Sequence, residues 1–343
     1  MFQYIIRRLL ISIPTLLVIS FVIFFILDTA PSDPTGSLPL TIPPEVRAKI
    51  RTSLGLDDPM HVRYFKWTQQ FFISEPLNYL ESVTGLSIGN SENRTRILSW
   101  VTRAPVSDLI AERMPQTLWV LGLAYVFGIL IAIPVGVISA YKQYSIFDNV
   151  GTFISMIGFS IPTFFTGLLA IVVFSVYGSK VDWIPFFPSK YNTTLVVKDW
   201  SSFVQQVKQM IMPVTVLAFF NASQMSRFLR SSMLDNLSQD YARTARSKGL
   251  QEQVVVLGHV LRNSMIPLIT LIALGIPAIF SGAIITEQIF SINGLGALLI
   301  RGIYDGDIPL VQTLTFIFAI LIVVFNLVAD VAYGLLDPRI RYS

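Results

Sequence analysis

"QMIMPVTVLAFFNASQMS", residues 209–226, is an apolar run held between Lys208 and Arg227 and interrupted by Asn221, Ser223 and Gln224. Whether it crosses a membrane decides the fold of the whole chain. On its own it is a weak candidate, because it falls just short of the roughly 20 apolar residues that span a hydrocarbon core. The rest of the sequence settles the matter.

The chain has 343 residues, of which 53% are hydrophobic and only 13% charged. A soluble domain carries about 25% charged residues, so this one has too few to cover a water-facing surface. An all-α integral membrane protein is expected. Nineteen prolines, many inside apolar runs, suit membrane helices, where neighbouring helices re-satisfy broken backbone bonds.

Five stronger runs flank the weak one: residues 9–27, 117–140, a stretch within 149–179, a stretch within 264–286, and 308–329. The Lys/Arg distribution then fixes the topology. Arg7 and Arg8 precede the first run, Lys142 follows the second, and Arg339 and Arg341 follow the last. Arg227, Arg230, Arg243, Arg246, Lys248 and Arg262 lie between the fourth and fifth. All fall on one side only if residues 209–226 cross the bilayer. Six transmembrane helices with both ends cytoplasmic (N-in/C-in) follow. The loop 287–307, with Arg301 against Glu287, Asp305 and Asp307, then lies outside.

A cleaved signal peptide is the rival reading of the N-terminus, with Arg7 and Arg8 as its basic region and Asp28-Thr29-Ala30 as a cleavage site. The apolar run exceeds the usual 7–15 residues, and Pro31 would follow the cut. An uncleaved first helix is expected. The chain thus divides into a tail and first helix (1–30), an extracytoplasmic region (31–114), and a core of five helices (115–343) with a cytoplasmic loop at 227–263. In the outer region, residues 43–59 place Val46, Ile50 and Leu54 at helical spacing, with Gly55 as a C-terminal stop. Tyr64, Phe65, Trp67, Phe71 and Phe72 follow. They fit either helices on the outer membrane face or a cap over a pathway.

Several chemistries are excluded. There is no cysteine, hence no disulfide, thiolate metal site or thiol nucleophile. No G-x-x-x-x-G-K-[ST] run exists to cradle a nucleotide. Gly294-Leu-Gly296 has no preceding strand and reads as a tight turn. His61 and His259 fall on opposite sides of the membrane, so no metal site is expected, and no Ser/His/Asp constellation is arguable. A net charge of +4 is too small and scattered for nucleic acid. Ionisable groups at mid-membrane mark ion-driven carriers, and the six spans lack them centrally. Asp28, Glu287 and Asp330 sit near helix ends, where water is expected. Sodium sites made of backbone carbonyls escape this test. The chain is therefore expected to be non-catalytic and driven by a separate protein.

The densest basic segment, DYARTARSKGLQEQVVVLGHVLRNSMIP (240–267), lies in the cytoplasmic loop. Asp240 is placed to cap a short helix, with Ala242 and Ala245 on adjacent turns and Gly249 as its left-handed stop. A second helix starts near Val254. Binding to anionic lipid heads would account for the arginines. It leaves the small-residue face and the glycine stop unexplained, and these favour packing against a partner ATPase.

That loop resembles the EAA loop of bacterial ABC importer permeases, E-A-A, three residues, G, nine residues, I-x-L-P. Arg243-Thr244-Ala245 stand at the E-A-A positions, Gly249 at the glycine and Leu261 at the leucine; His259 and Arg262 replace the isoleucine and the proline. Those departures resemble the dipeptide/oligopeptide/nickel subfamily. So do YIIRRLLISIPTLL, APSDP (usually P-G-D-P there), LGLDDP, PVSDLIAERMPQTL, GFSIPTFFTGLL and NLVADVAYGLLDPRIRY. An enlarged outer loop around 75–103 departs from it.

The resemblance implies a type I ABC importer permease fold in the bacterial inner (cytoplasmic) membrane. It implies a pathway shared with a second, often different, permease subunit, in contact with membrane lipid. Two cytosolic ATPase subunits bind ATP and Mg, this chain itself binding no cofactor, and an extracytoplasmic binding protein delivers solute. Asp240, Tyr241, Arg243, Thr244, Ala245, Arg246, Lys248 and Gly249 would belong to the loop that couples to the ATPase, with Arg243, Thr244, Ala245 and Gly249 shaping it. Leu250, Gln251, Glu252 and Val254 would enter its groove.

For the pathway, Ser160, Pro162 and Thr163 interrupt the third span beside Gly158, and Asn221 and Ser223 the fourth. Each fits lining of a route or close helix packing. Asn326 and Asp330 are expected in a structural hydrogen-bond network. Di- or oligopeptides are the expected cargo, with oligosaccharides, glutathione or nickel chelates as alternatives. A self-sufficient secondary carrier is the alternative class.

Overall fold

The computed structural model describes residues 2–29, 43–53, 55–85, 94–281 and 283–336. Leu54, the APSDP segment, Arg339 and Arg341 lie outside the described residues. Among those described, the regular secondary structure is helical, save one isolated antiparallel bridge between Leu98 and Pro105.

The helices in chain order are α1 (Phe2–Asp28), α2 (Pro44–Ser53), α3 (Met60–Gln69), α4 (Glu75–Thr84), α5 (Val106–Thr117), α6 (Leu123–Tyr141), α7 (Ile146–Ser160) and α8 (Thr163–Ala170). They continue as α9 (Trp200–Leu237), α10 (Asp240–Ser247), α11 (Glu252–Val254), α12 (Leu261–Ser281), α13 (Ile284–Ile289), α14 (Leu295–Tyr304) and α15 (Ile308–Leu336). π-Helical turns at Leu118–Gly122 and Val255–Val260 join α5 to α6 and α11 to α12.

Among the described residues, five stretches are long and apolar enough to cross a membrane: Ile6–Asp28, Val106–Tyr141, Trp200–Leu237, Glu252–Pro277 and Ile308–Val331. The third span expected from sequence is a broken pair, Ile146–Ser160 and Thr163–Tyr177, bent by 101°. The break is local chemistry. Pro162 lacks an N–H and forces Ile161 into extended backbone, φ −82° and ψ 126°, which ends α7. Counted as one span, the pair brings the total to six.

The weak fourth run is part of α9, which extends well beyond it at both ends. A capping box starts the helix: the Asp199 carboxylate accepts from the Ser202 N–H at 2.7 Å, and Ser202 Oγ accepts from the Asp199 N–H at 3.0 Å. These two side chains satisfy donors that a helix start leaves open. Arg227 and Arg230, read from sequence as loop residues, belong to this helix.

The chain forms two compact units: Met1–Arg7, Pro115–Ala297 and Val324–Ser343, and Arg8–Met114 with Leu298–Val323. The first is built on α6 against α9. A Cβ on Gly136 would stand 2.9 Å from the Ser226 carbonyl, and one on Gly128 2.8 Å from Asn221 Cβ. Glycine lets the two backbones approach, as membrane interfaces commonly require. Gly158 does the same for α7, where a Cβ would come within 2.2 Å of Ser223 Oγ. Arg230 grips Asp148 at the start of α7 with Nε at 2.6 Å and a second nitrogen at 2.8 Å.

The second unit is held by aromatic rings. Tyr64 and Trp67 meet Phe24 of α1, and Trp67, Phe71 and Phe72 surround Phe316 of α15 with centroids 5.0–5.7 Å apart. Tyr64, Trp67 and Phe71 of the outer region's aromatic run therefore face inward, Phe72 touches Phe316 while remaining partly open, and Phe65 is exposed. Asp28 is not solvated alone, because Arg63 pairs with it at 2.8 Å. Asp307 accepts from the Leu310 and Trp100 N–H groups and from Ser99 Oγ, capping α15 and fixing the 99–104 loop.

Candidate functional site

The loop between α9 and α12 is a helix–turn–helix. Helix α10 begins one residue earlier than expected: Gln239 occupies the cap position, without a side-chain bond. Asp240 is instead its first residue, 3.3 Å from Arg243. Its charge still suits the helix N-terminus. Tyr241 donates to Asn236 Oδ1 at 2.7 Å, tying α10 back to α9.

Ala242 and Ala245 are buried against Leu229, Met233, Val255, Val256 and Val260. The small-residue face therefore seats α10 on its own chain, rather than presenting itself to a partner. The physical reason is spacing, since residues three apart on a helix share a face, and that face packs on the Val255–Val260 turn.

Gly249 has φ +78°, the left-handed region where a side chain is strained. Its N–H reaches the Arg246 carbonyl at 2.9 Å, and the Leu250 N–H the Ala245 carbonyl at 3.4 Å. Arg246 then staples the turn. It binds Glu252 at 2.8 and 3.0 Å and donates to the Leu237 carbonyl at 3.3 Å. Three segments, the ends of α9, α10 and the start of α11, meet on one guanidinium. The sequence marks Arg246 as a basic residue of the coupling loop and Glu252 as entering a groove, and the structure pairs the two.

What the loop leaves exposed is a mixed surface. Leu250, Val254 and Leu257 stand open beside Arg243, Thr244, Lys248 and Gln251.

Three of the five pathway candidates converge. Pro162, Thr163 and Asn221 line a cavity of about 710 Å³, together with Tyr125, Gln224 and Gly275. Ser223 does not join them. It is buried against α7 and borders a separate cavity of about 500 Å³ with Ser155 and Ser226. Ser160 is exposed and lines neither. The larger cavity is mostly apolar; its polar groups include the Asn221 and Gln224 amides and the Thr163 and Tyr125 hydroxyls. Tyr125 donates to the Ile272 carbonyl at 2.6 Å. Gly275 admits that ring, since a Cβ there would lie 2.2 Å from the phenol oxygen. Gln224 and Tyr125 were legible as polar residues in apolar runs, but nothing in their spacing marked a shared cavity.

Glu287 corrects the sequence reading. It is 1% exposed, not close to water. Thr117 donates to Oε1 at 3.1 Å, and the Ala297 N–H to Oε2 at 2.8 Å, while Thr117 Oγ accepts from Leu295 N–H at 2.7 Å. The carboxyl sits over the Gly294-Leu-Gly296 turn, at the start of α14, where backbone donors point outward. Burial pushes its pKa up, against these hydrogen bonds.

Apolar spanning helices, an open cavity among them and a braced, exposed loop fit a membrane transport component. The chain belongs to the binding-protein-dependent transport system inner membrane component family, which it matches over residues 132–342; the N-terminal part of such membrane components matches residues 1–121. It is an inner-membrane protein. An oligopeptide transport system permease protein of Bacillus subtilis is 38% identical to it, over 100% of both chains. A dipeptide transport system permease protein of Escherichia coli is 35% identical and a glutathione transport system permease protein of Salmonella typhimurium 34%, again over 100% of both chains.

Proposed function

We propose that the chain is one transmembrane half of an ATP-driven importer of di- and oligopeptides. An extracytoplasmic binding protein delivers the peptide. A second homologous permease completes the route, and two cytosolic ATPases, carrying ATP and Mg, supply the work. The observation that carries the coupling role is the build of the α10–α11 loop. Its inner face is locked to α9 and α12 by Ala242, Ala245 and Val256. Its outer face offers Leu250, Val254 and Leu257 next to Arg243 and Lys248. A push on that surface moves two spanning helices instead of bending a loose loop. This is the requirement for a two-state element driven from one side.

Peptide cargo rests on the relatives: the three named above serve oligopeptides, dipeptides and glutathione, which share amide-linked backbones. The apolar cavity with two amide side chains suits solutes that vary in side chain and share a backbone. Oligosaccharides and nickel chelates would use the same mechanism. The rival class is a carrier that needs no ATPase.

The test is reconstitution of the four-part assembly in vesicles. Peptide-loaded binding protein should stimulate ATP hydrolysis, and the pair Leu250→Asp with Val254→Asp should abolish the stimulation without unfolding the chain. Peptide uptake by this chain alone, without ATP, would overturn the reading.

A further inference from the structure

In the Arg8–Met114 and Leu298–Val323 unit, a cavity of about 350 Å³ opens between α1, α3, the 95–103 loop and the start of α15. It shares no lining residue with the cavity around Asn221. Its polar lining is one-sided. Four residues that line it hold buried N–H groups with no acceptor among the described residues: Trp67 at Nε1, Gln312 at Nε2, and Arg63 and Arg96 at Nε. Trp67 is 6% exposed and Gln312 4%. Buried donors are almost always met, and an indole N–H can only donate.

The acidic groups of the lining are already engaged. Asp28 is held by Arg63 at 2.8 Å and Asp58 by Lys66 at 2.6 Å. Arg103, exposed on the same lining, makes no ion pair among the described residues. Ser53, Gln70 and Thr95 add neutral polar groups, Gln70 donating to the Thr95 hydroxyl at 3.1 Å, and Phe24, Leu56, Ile97, Leu98, Trp100 and Ile308 supply apolar wall.

We propose that this cavity binds a single oxyanion, carboxylate or phosphate, carried on a small apolar body. An oxyanion is an acceptor with several lone pairs, and charged acceptors make the stronger hydrogen bonds. The surplus Arg103 favours its charge, and the apolar walls favour its body. A volume near the lower end of small-molecule sites limits it to a small solute or a headgroup. Two sources share this chemistry, the terminal carboxylate of a short peptide and the phosphate of a lipid.

Calorimetric titration of the assembled importer, in maltoside detergent and phosphate-free buffer, separates them. The probes are alanyl-phenylalanine, its C-terminal amide, and short-chain phosphatidylglycerol. At least one free oxyanion should bind, and Trp67→Phe, which keeps an aromatic ring and deletes the indole N–H, should weaken it about tenfold, the size expected for one hydrogen bond to a charged group. Gln312→Leu and Arg103→Ala should do the same, and they carry the test if Trp67→Phe perturbs folding. Tenfold tighter binding of the dipeptide acid than of its amide identifies a carboxylate site; binding of the lipid alone identifies a phosphate site. If no oxyanion binds, or if binding is unchanged in Trp67→Phe and Gln312→Leu, the donors are met by water and the proposal fails.

Discussion

Two glycine turns in the same unit show two different uses of a missing side chain. At Gly249 the space is empty: an added Cβ would meet nothing within 4 Å, but φ is +78°. Glycine is there for its backbone angle. At Gly294 the backbone is ordinary and the space is full, since a Cβ would stand 2.4 Å from both Glu287 Oε1 and Thr117 Oγ. Glycine is there for room. The first turn leaves the loop exposed; the second closes the chain over a buried carboxyl.

The largest expected effect breaks the crowded turn. Gly294→Ala must displace Glu287 or Thr117 from a buried network, and overpacking of this kind costs about 1–3 kcal/mol. A fall in melting temperature of the purified protein in detergent reads it. Removing the obstacle sharpens the claim. If Gly294→Ala is harmful because of Glu287, then Gly294→Ala with Glu287→Ala should lose less than the two single changes added together.

Next is Glu287→Ala by itself. It strands the Thr117 hydroxyl and the Ala297 N–H, at about 1–3 kcal/mol for unmet buried donors. Its pH behaviour identifies the group. Burial raises the folded-state pKa of Glu287, so the folded chain holds the proton after the unfolded chain has released it. The stability of the protein should therefore decline as pH rises from the ordinary carboxylate range toward that raised value, and then level off. Glu287→Gln should flatten the decline in a melting series. An unchanged slope would show that Glu287 does not titrate in this range.

The contrast also marks what could be read from the residues. The spans were legible because lipid demands long apolar runs. Gly249 was legible because a glycine after a helix has a conformational signature. Glu287 was not. Its donors come from Thr117 and from the turn at residues 294–297, and no local pattern announces a meeting of distant segments. The same holds for Pro162, Thr163 and Asn221, which share a cavity, and for Ser160 and Ser223, which do not. Polar residues in apolar helices are visible; the face they occupy depends on packing. The inward seating of Ala242 and Ala245 shows the limit from the other side. A small-residue face was visible, but what it packs against was not.

At the open turn the effects shrink. Gly249→Ala meets no atom, so only the left-handed backbone resists, at about 1 kcal/mol. Gly249→Asn should cost less, because asparagine tolerates that region better. If Gly249→Ala proved as damaging as Gly294→Ala, the space around the turn would have to be filled, by a partner or by lipid.

The smallest effect on stability, and the most informative for coupling, belongs to Arg246→Ala. Arg246 and Glu252 are 39% and 38% exposed, so water and salt screen the pair, and its loss should cost well under about 1 kcal/mol. The melting temperature should barely move. The same guanidinium nevertheless joins the Leu237 carbonyl at the end of α9 to the first residue of α11. Without it, a load on Leu250 and Val254 should swing the turn about Gly249 before it moves α9. Peptide-stimulated ATP hydrolysis in the reconstituted assembly should then fall severalfold while the unstimulated rate stays constant. The swap Arg246→Glu with Glu252→Arg should restore part of the coupling, because the bridge to Glu252 is remade while the bond to the Leu237 carbonyl is not. A variant that keeps full stimulation would mean that the turn is held by Ala242 and Ala245 alone, and that its openness has no bearing on how force enters the membrane helices.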